Sequence, residues 1–361
     1  MSEAGMETLQ GGGSIASKLI ANNMDTRILR PYIGSDGGSY ITANSGEFNE
    51  DGTPKMIAAP ITNANATLTK DAWQHLDSTV TSVFRKRLVG VADVEAAGLT
   101  YNMPNGMAHT ILQTQGMSDM TDAEVNMDGL SKSDADRPVS DLVNLPLPIV
   151  SKDFGFSLRE IMASKNGQAP LDTTGASLAS KKVAEGIEKL FCGTLGTYTF
   201  GGGSLPGLTN YSSALTKSMT APTASGWSQQ TTYDEVLAMR QQAYAVNHFG
   251  PYRIYASTSW DQYLDRKEIG TTVNQSTLRE NLMSIGQVEG VTTVDHLPAN
   301  KMILVQMDLE TIRIVTGMDV TTVQWESEGG MKQNFKVMAI KVPQLRKDQA
   351  GQTGIVVGTH A

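Results

Sequence analysis

The side chains best suited to chemistry in this chain are few and far apart. Its histidines, His75, His109, His248, His296 and His360, fall at no His-x₃-His or His-Glu-x-x-His spacing, so no local pattern sets two imidazoles on one helix face to hold a metal. Each reads as a surface or core histidine. The glycine runs at 11–13 and 201–203 lack the Lys-Ser/Thr ending with which a phosphate loop holds a nucleotide, and no Gly-x-Ser-x-Gly elbow presents a serine nucleophile. Cys192, the only cysteine, closes an amphipathic stretch with no histidine nearby. It suits packing better than nucleophilic attack and excludes an intrachain disulfide. The expectation is therefore no enzyme, no cofactor and no catalytic, cofactor-binding or metal-binding residues.

What the chain does carry is a strongly patterned stretch over residues 145–193. Its first part, 145–158, is extended in character, with Pro146 and Pro148 followed by apolar and aromatic residues. A short helix is predicted over 157–163, ending at the Lys-Asn-Gly of 165–167. Asp172, Thr173 and Thr174 then offer N-caps to a long helix ending near Gly193. Ala176, Ala179, Val183, Ile187, Leu190 and Phe191 repeat with the period of one buried face, and Lys181, Lys182, Glu185, Glu188 and Lys189 are placed opposite.

Composition narrows the function classes. The 361 residues suffice for one large domain or two to three small ones, and the 35 glycines imply many turns. A net charge of −8 argues against a dedicated nucleic-acid binder, which is usually basic on its contacting face, though not against a container that confines nucleic acid sterically. No signal peptide opens the chain and no run of eighteen apolar residues occurs, so a cytosolic origin and no membrane are expected.

The stretch resembles the coat proteins of tailed bacteriophages and their cellular relatives, the encapsulins, which share the Hong Kong 97-like fold. In encapsulins a leucine-proline-leucine strand leads to a short helix and then to a long spine helix closing on phenylalanine and glycine. Here Leu145-Pro146-Leu147, Phe156-Ser157-Leu158 and Leu190-Phe191-Cys192-Gly193 stand in that order. The likeness extends in both directions. A helix capped by Thr69 carries Trp73, Leu76, Val80, Val83, Phe84 and Leu88, with Leu76-Asp77 and Val91-Ala92-Asp93-Val94 matching the encapsulin N-terminal helix and its following loop. Gly250-Pro251-Tyr252 and the helix at Ser259-Trp260 match the axial domain. The similarity spans roughly residues 67–358.

The implied architecture is α+β. It has an N-terminal arm over 1–66, an N-terminal helix and the start of the peripheral domain over 67–106, and an extended β-hairpin loop over 107–150. The peripheral domain with its spine helix follows over 151–205, an axial domain over 206–317, and return strands of the peripheral domain over 318–361, packed under the spine. Read locally, the arm is glycine-rich, with a short helix near 15–22 and apolar pegs at Ile28, Leu29, Tyr32, Ile33, Tyr40, Ile41, Met56, Ile57 and Ile61 that suit a partner surface. Strands are read at 108–114 and 139–149 around an acidic tip, which cannot stand alone as a hairpin. The axial segment reads as helices at 233–246, 259–266 and 278–285, with strands at 252–256, 291–294, 301–306 and 311–315. Further strands are read at 320–326, 334–342 and 354–358.

The function implied by the resemblance is a major capsid protein, self-assembling through hexamers and pentamers into an icosahedral shell around double-stranded DNA that it does not read by sequence. The alternative is an encapsulin-type nanocompartment holding a cargo enzyme, against which the long arm speaks. The implied partners are other copies of the chain, a separate scaffolding protein and a portal, with a decoration protein left open. The implied location is the virion capsid, assembled in the host bacterial cytoplasm. Since only some 66 residues precede the first core helix, no maturation cleavage is expected. Val183, Ile187, Leu190 and Phe191 are the expected packing face of the spine. Gly270, Thr271, Thr272, Val273 and Asn274, small and uncharged, are the expected loop ringing each capsomer axis. Some coat proteins of this fold also cross-link a loop lysine to a neighbour's asparagine. Lys132 and Asn334 are the corresponding groups here, but no motif fixes either, and a solvated lysine is preferred.

Overall fold

The computed structural model describes residues 30–49, 54–60, 68–117, 127, 140–166, 173–267 and 276–360. The described part of the arm is not a plain extended chain. Strands β1 (Tyr32–Ile33), β2 (Ser39–Phe48) and β3 (Pro54–Pro60) form an antiparallel sheet in that order, closed by a turn at Gly34–Gly38. Tyr32 stacks on Tyr40 at 6.1 Å and Ile41 is buried, so three of the expected pegs find partners within the chain. The predicted helix at 15–22 and Ile28, Leu29 and Ile61 lie outside the described residues.

Helix α1 (Lys70–Arg87) begins where expected. The Thr69 hydroxyl accepts the Ala72 N–H at 3.3 Å, and Trp73, Leu76, Val80, Phe84 and Leu88 are buried. The arm root is docked on it. Ile33 N–H donates to the Leu68 carbonyl at 2.9 Å and the Trp73 indole to the Pro31 carbonyl at 2.9 Å. Arg30 pairs with Asp77 and lies 4.7 Å over the Trp73 ring.

After α2 (Gly90–Ala96) and the short strand β4 (Thr100–Asn102), strands β5 (Ile111–Met117) and β6 (Ser140–Pro146) pair antiparallel from Ile111↔Pro146 to Met117↔Ser140. Apart from Met127, the acidic tip between them, Lys132 included, lies outside the described residues. Strand β7 (Val150–Ser157) runs into α3 (Leu158–Asn166) through a capping box: Ser157 N–H donates to the Glu160 carboxylate at 2.7 Å, and Glu160 N–H to Ser157 Oγ at 3.2 Å. Helix α4 (Thr174–Cys192) is the predicted spine, ended by Gly193 at φ 85°, a left-handed cap that glycine takes without strain. Gly207 sits so close behind that a Cβ on it would lie 2.2 Å from the Gly193 nitrogen, which only glycine tolerates.

A small hairpin, β8 (Tyr198–Phe200) with β9 (Gly203–Leu205), leads to β10 (Leu215–Met219), which the sequence reading did not anticipate, and to α5 (Gln229–Ala245). This helix starts four residues earlier than expected because Ser228 caps it, accepting the Thr231 N–H at 3.3 Å. Then follow β11 (Tyr252–Ser257), α6 (Thr258–Leu264), α7 (Leu278–Met283), β12 (Val288–Val294), β13 (Lys301–Gln306), β14 (Ile312–Ser327), β15 (Lys332–Leu345) and β16 (Ile355–His360).

Two sheets organise these elements, and they correct three readings. First, the strands predicted at 311–315 and 320–326 are one strand, β14, whose pairing with β15 shifts register between Thr316 and Thr321 and so interrupts the alternation. It belongs to the sheet β4-β14-β15-β7, not to the axial module. Second, β16 does not join the sheet of the return strands β14 and β15. It lies in the five-stranded sheet β10-β16-β13-β11-β12, parallel to β10 and antiparallel to β13. Its apolar residues fit either place, and only the pairing distinguishes them. Third, Glu185 and Glu188, assigned to the solvated face of the spine, are both buried.

The five-stranded sheet is packed on both faces, as strand periodicity requires. Ile254, Ala256, Met302, Leu304 and Val356 meet α5, α6 and α7 through Val236, Met239, Trp260 and Leu282. Tyr255, Ile303, Val305, Ile355 and Val357 join the spine cluster of Val183, Ile187, Phe191, Phe335 and Val337. The two modules thus share one apolar layer.

Candidate assembly surfaces

The spine packs on two sides at once. Val183, Ile187 and Phe191 enter the large cluster with α1 and β15, and the Phe191 ring meets Tyr255 edge-on at 5.8 Å. Leu190 points into a separate cluster with Leu145, Leu147, Leu205, Val315, Ile340 and Val342, at the root of the β5–β6 hairpin. Cys192 is buried, and burial pushes its thiol well above the ordinary range, so it is a packing group. Among the described residues no three His, Cys, Asp or Glu side chains converge as a ligand set.

Helix α2, only seven residues long, ties the modules together. Its N-terminal N–H groups need an acceptor, and the spine supplies one: Glu188, 2% exposed, accepts from Gly90 at 2.6 Å and Val91 at 3.5 Å. Burial pushes this carboxyl up to about 7 against the downward pull of those N–H groups. On the opposite flank Asp93 pairs with Arg253 at 3.1 Å and accepts the Thr292 hydroxyl at 2.7 Å, both from the five-stranded sheet. Two residues on, Glu95 pairs with Lys341 of β15 at 2.8 Å, and Asp319 of β14 completes that lysine's shell at 2.9 Å. Burial pulls the Lys341 ammonium down, but its hydrogen bonds to Glu95 and Asp319 outweigh this and hold its pKa above the ordinary lysine value. The sequence signalled Val91-Ala92-Asp93-Val94 only by resemblance, and nothing local marked Glu188 or Lys341.

The apolar surface left uncovered is uneven. Around the hairpin root Leu142, Val143, Tyr198 and Phe200 are exposed, and the turn of the β8–β9 hairpin rests on β5 and β6, with Asn144 Nδ2 donating to the Gly201 carbonyl at 3.5 Å. Such clustering of large apolar side chains marks a surface that meets something.

Of the residues expected to ring a capsomer axis, Gly270, Thr271, Thr272, Val273 and Asn274 all lie outside the described residues. Both ends of their segment are tied down. Lys267 bridges Thr277, and Thr277 forms a capping box with Glu280 at the start of α7. Arg279 reaches across to Asp265 at 2.7 Å and Asp261 at 2.9 Å on α6. Asn334 donates to Ser327 Oγ at 2.7 Å.

This architecture is that of known shell proteins. The chain superposes on the virus-like particle from Pyrococcus furiosus with a TM-score of 0.56 at 16% identity, covering 79% of this chain and 98% of that one. It superposes on the capsid of the Myoviridae phage XM1 with a TM-score of 0.56 at 12% identity, covering 75% and 92%. For the capsid of an empty GTA particle the TM-score is 0.54 at 13% identity, covering 76% and 91%. The fold is thus α+β and Hong Kong 97-like, as the sequence resemblance implied. Its elements are a spine helix packed on long strands, the β5–β6 hairpin and a second sheet module, and a family model matching residues 63–358 assigns the chain by sequence: it belongs to the family of unknown function DUF6260.

Proposed function

We propose that this chain is the major capsid protein of a tailed bacteriophage, many copies closing through hexamers and pentamers into an icosahedral shell around double-stranded DNA. The observation that carries the reading is the likeness to shell subunits over three quarters of the chain, including 92% of the phage XM1 capsid chain. The surface agrees with it. The exposed apolar side chains at the hairpin root lack a described partner cluster of their own, as expected where a neighbouring copy completes the packing. The role is structural, with no catalytic step. Its partners are other copies, packaged DNA held without sequence-specific contact, a scaffolding protein and a portal, assembled in the host cytoplasm.

A second reading, a nanocompartment around a cargo enzyme, is favoured by the 98% coverage of the Pyrococcus furiosus particle chain. Electron microscopy of purified particles together with their contents separates the two. Nuclease-protected double-stranded DNA, or empty shells of several hundred subunits, supports the capsid. A small shell with a co-purifying enzyme supports the compartment, and a chain that stays monomeric under all conditions sinks both.

Within the shell, the segment holding Thr271 is assigned to the capsomer axis, its two ends fixed by the Arg279 clamp. Thr271→Asp would then gather five or six like charges within a Debye length of about 10 Å at 0.1 M salt. Capsomers of that variant are expected to weaken at low salt and to recover partly at high salt. Assembly equal to the unaltered chain at low salt would remove the segment from the axis.

A further inference from the structure

One buried histidine faces a carboxylate that it can bond in only one of its protonation states. His248, 9% exposed, follows the C-terminus of α5, where its N–H donates to the Ala243 carbonyl at 3.0 Å. Its ring lies where two connections between the sheets meet. Gln306 ends β13 just before the connection to β14, and residues 346–354 carry β15 into β16. The two connections are bonded to each other: Arg346 N–H donates to the Thr311 carbonyl at 2.9 Å, and Gln306 N–H to the Gly354 carbonyl at 2.9 Å.

The hydrogen bonds around the ring fix its tautomer. The Gln306 side-chain nitrogen faces the Gly250 carbonyl at 3.4 Å, which can only accept, so the amide oxygen is turned to the ring. That oxygen accepts the Thr311 hydroxyl at 3.3 Å and stands 2.6 Å from His248 Nδ1, which must carry a hydrogen and donate it. In the neutral imidazole Nε2 is then a bare acceptor. It is shut off from solvent without a hydrogen-bond partner, and Oδ2 of Asp348, another acceptor, faces it at 3.7 Å. Two acceptors so placed repel, whereas a proton on Nε2 turns the same contact into an ion pair. The carbonyl end of α5 favours that charge as well. The other Asp348 oxygen accepts the Gln352 N–H at 2.7 Å, so the same carboxylate closes the turn ahead of β16. Among the described residues no other carboxylate, Asp308 and Glu310 of the neighbouring connection included, stands within ion-pairing distance of the ring. The remaining titratable groups nearby are otherwise engaged. Tyr252 of β11 donates its hydroxyl to the His248 carbonyl, and burial pushes that phenol up, so it stays neutral. Arg240 of α5 bonds the Gly286 carbonyl and lies over Tyr244, Arg346 bonds the Leu309 carbonyl, and Lys347 is exposed.

We propose that His248 and Asp348 form a proton-controlled latch, closed when the imidazole is protonated, which holds the connection 346–352 on the end of α5 and restrains the two sheets against each other. The latch is closed in mild acid and opens as pH rises through the range in which the imidazole titrates. It opens again in strong acid, once the carboxylate is neutral. It goes beyond the shell reading and does not depend on it.

Hydrogen exchange of the full-length chain, read by mass spectrometry and corrected for the intrinsic pH dependence of exchange, tests the latch. The amides of 348–352, whose bonds close the turn, are expected to lose about tenfold in protection between pH ~5.5 and pH ~8. Asp348→Asn keeps an oxygen for Gln352 but carries no charge, and His248→Asn keeps a donor for Gln306 but does not titrate. Each is expected to show equal protection at both pH values. The Glu188→Gln chain, whose overall stability should not fall over this range, is expected to keep the local change. Equal protection at both pH values in the unaltered chain, or a fall that survives Asp348→Asn in a folded chain, overturns the latch. So does a fall shared by all amides that vanishes in Glu188→Gln, which would assign the effect to the spine.

Discussion

Leu190→Asp is expected to leave no cooperatively folded chain at 25 °C. Leu190 is 7% exposed and closes the cluster of Leu145, Leu147, Leu205, Val315, Ile340 and Val342, which contains no cation. Removing a buried leucine alone costs about 2–5 kcal/mol. Burying an unpaired carboxylate in its place adds several more, even after the acid neutralises itself. The sum rivals the ~5–15 kcal/mol that holds a typical domain together. Leu178→Asp is the matched control, since Leu178 stands on the same helix but is 56% exposed, and it should change stability by no more than about 0.5 kcal/mol. Circular-dichroism melts of the two variants make the comparison. A native melt for Leu190→Asp would mean that the hairpin root is not packed on the spine.

Glu188 gives the second large effect, and its sign is opposite to that of a surface acid. Its folded pKa, about 7, lies above the ordinary carboxylate value of 4.5, so between these pH values the folded chain holds a proton that the unfolded chain has released. Stability contributed by the protonated form is complete below pH ~4.5 and is lost as pH rises through ~7, a change on the order of 3 kcal/mol. Glu188→Gln keeps an oxygen for the Gly90 and Val91 N–H groups but cannot ionise. Its unfolding free energy in urea, compared with the unaltered chain at pH 5 and pH 8, should lack that fall. If both chains lose stability in parallel across this interval, Glu188 is not the titrating group. The acid is retained despite its cost because α2 would otherwise bury unsatisfied donors where the two modules meet.

Much of the fold was readable because its signals are local. The spine face of Val183, Ile187 and Phe191, the caps at Thr69 and Gly193, and the strand around Tyr252 depend on neighbours within a few residues, and each stands where periodicity put it. The misreadings fall where a local pattern has two solutions. Residues 311–326 break alternation at a register shift, which mimics two strands with a turn between them. The run Ile355–His360 is apolar enough for either sheet. The arm hairpin was missed because glycine and alanine carry little periodic contrast.

By itself the sequence determined most of the helical segments, the apolar face of the spine, and that no nucleotide or metal motif is present. Such properties rest on contacts one to four residues apart, and the chain cannot hide them. Only the tertiary structure decided which sheet receives the last strand and what each buried charge does. Glu188 finds its donor 98 positions away, Asp93 its threonine 199 away and Glu95 its lysine 246 away. At those separations spacing carries no phase, so an acid bound for solvent and one bound for a helix terminus look alike until the chain has closed around them.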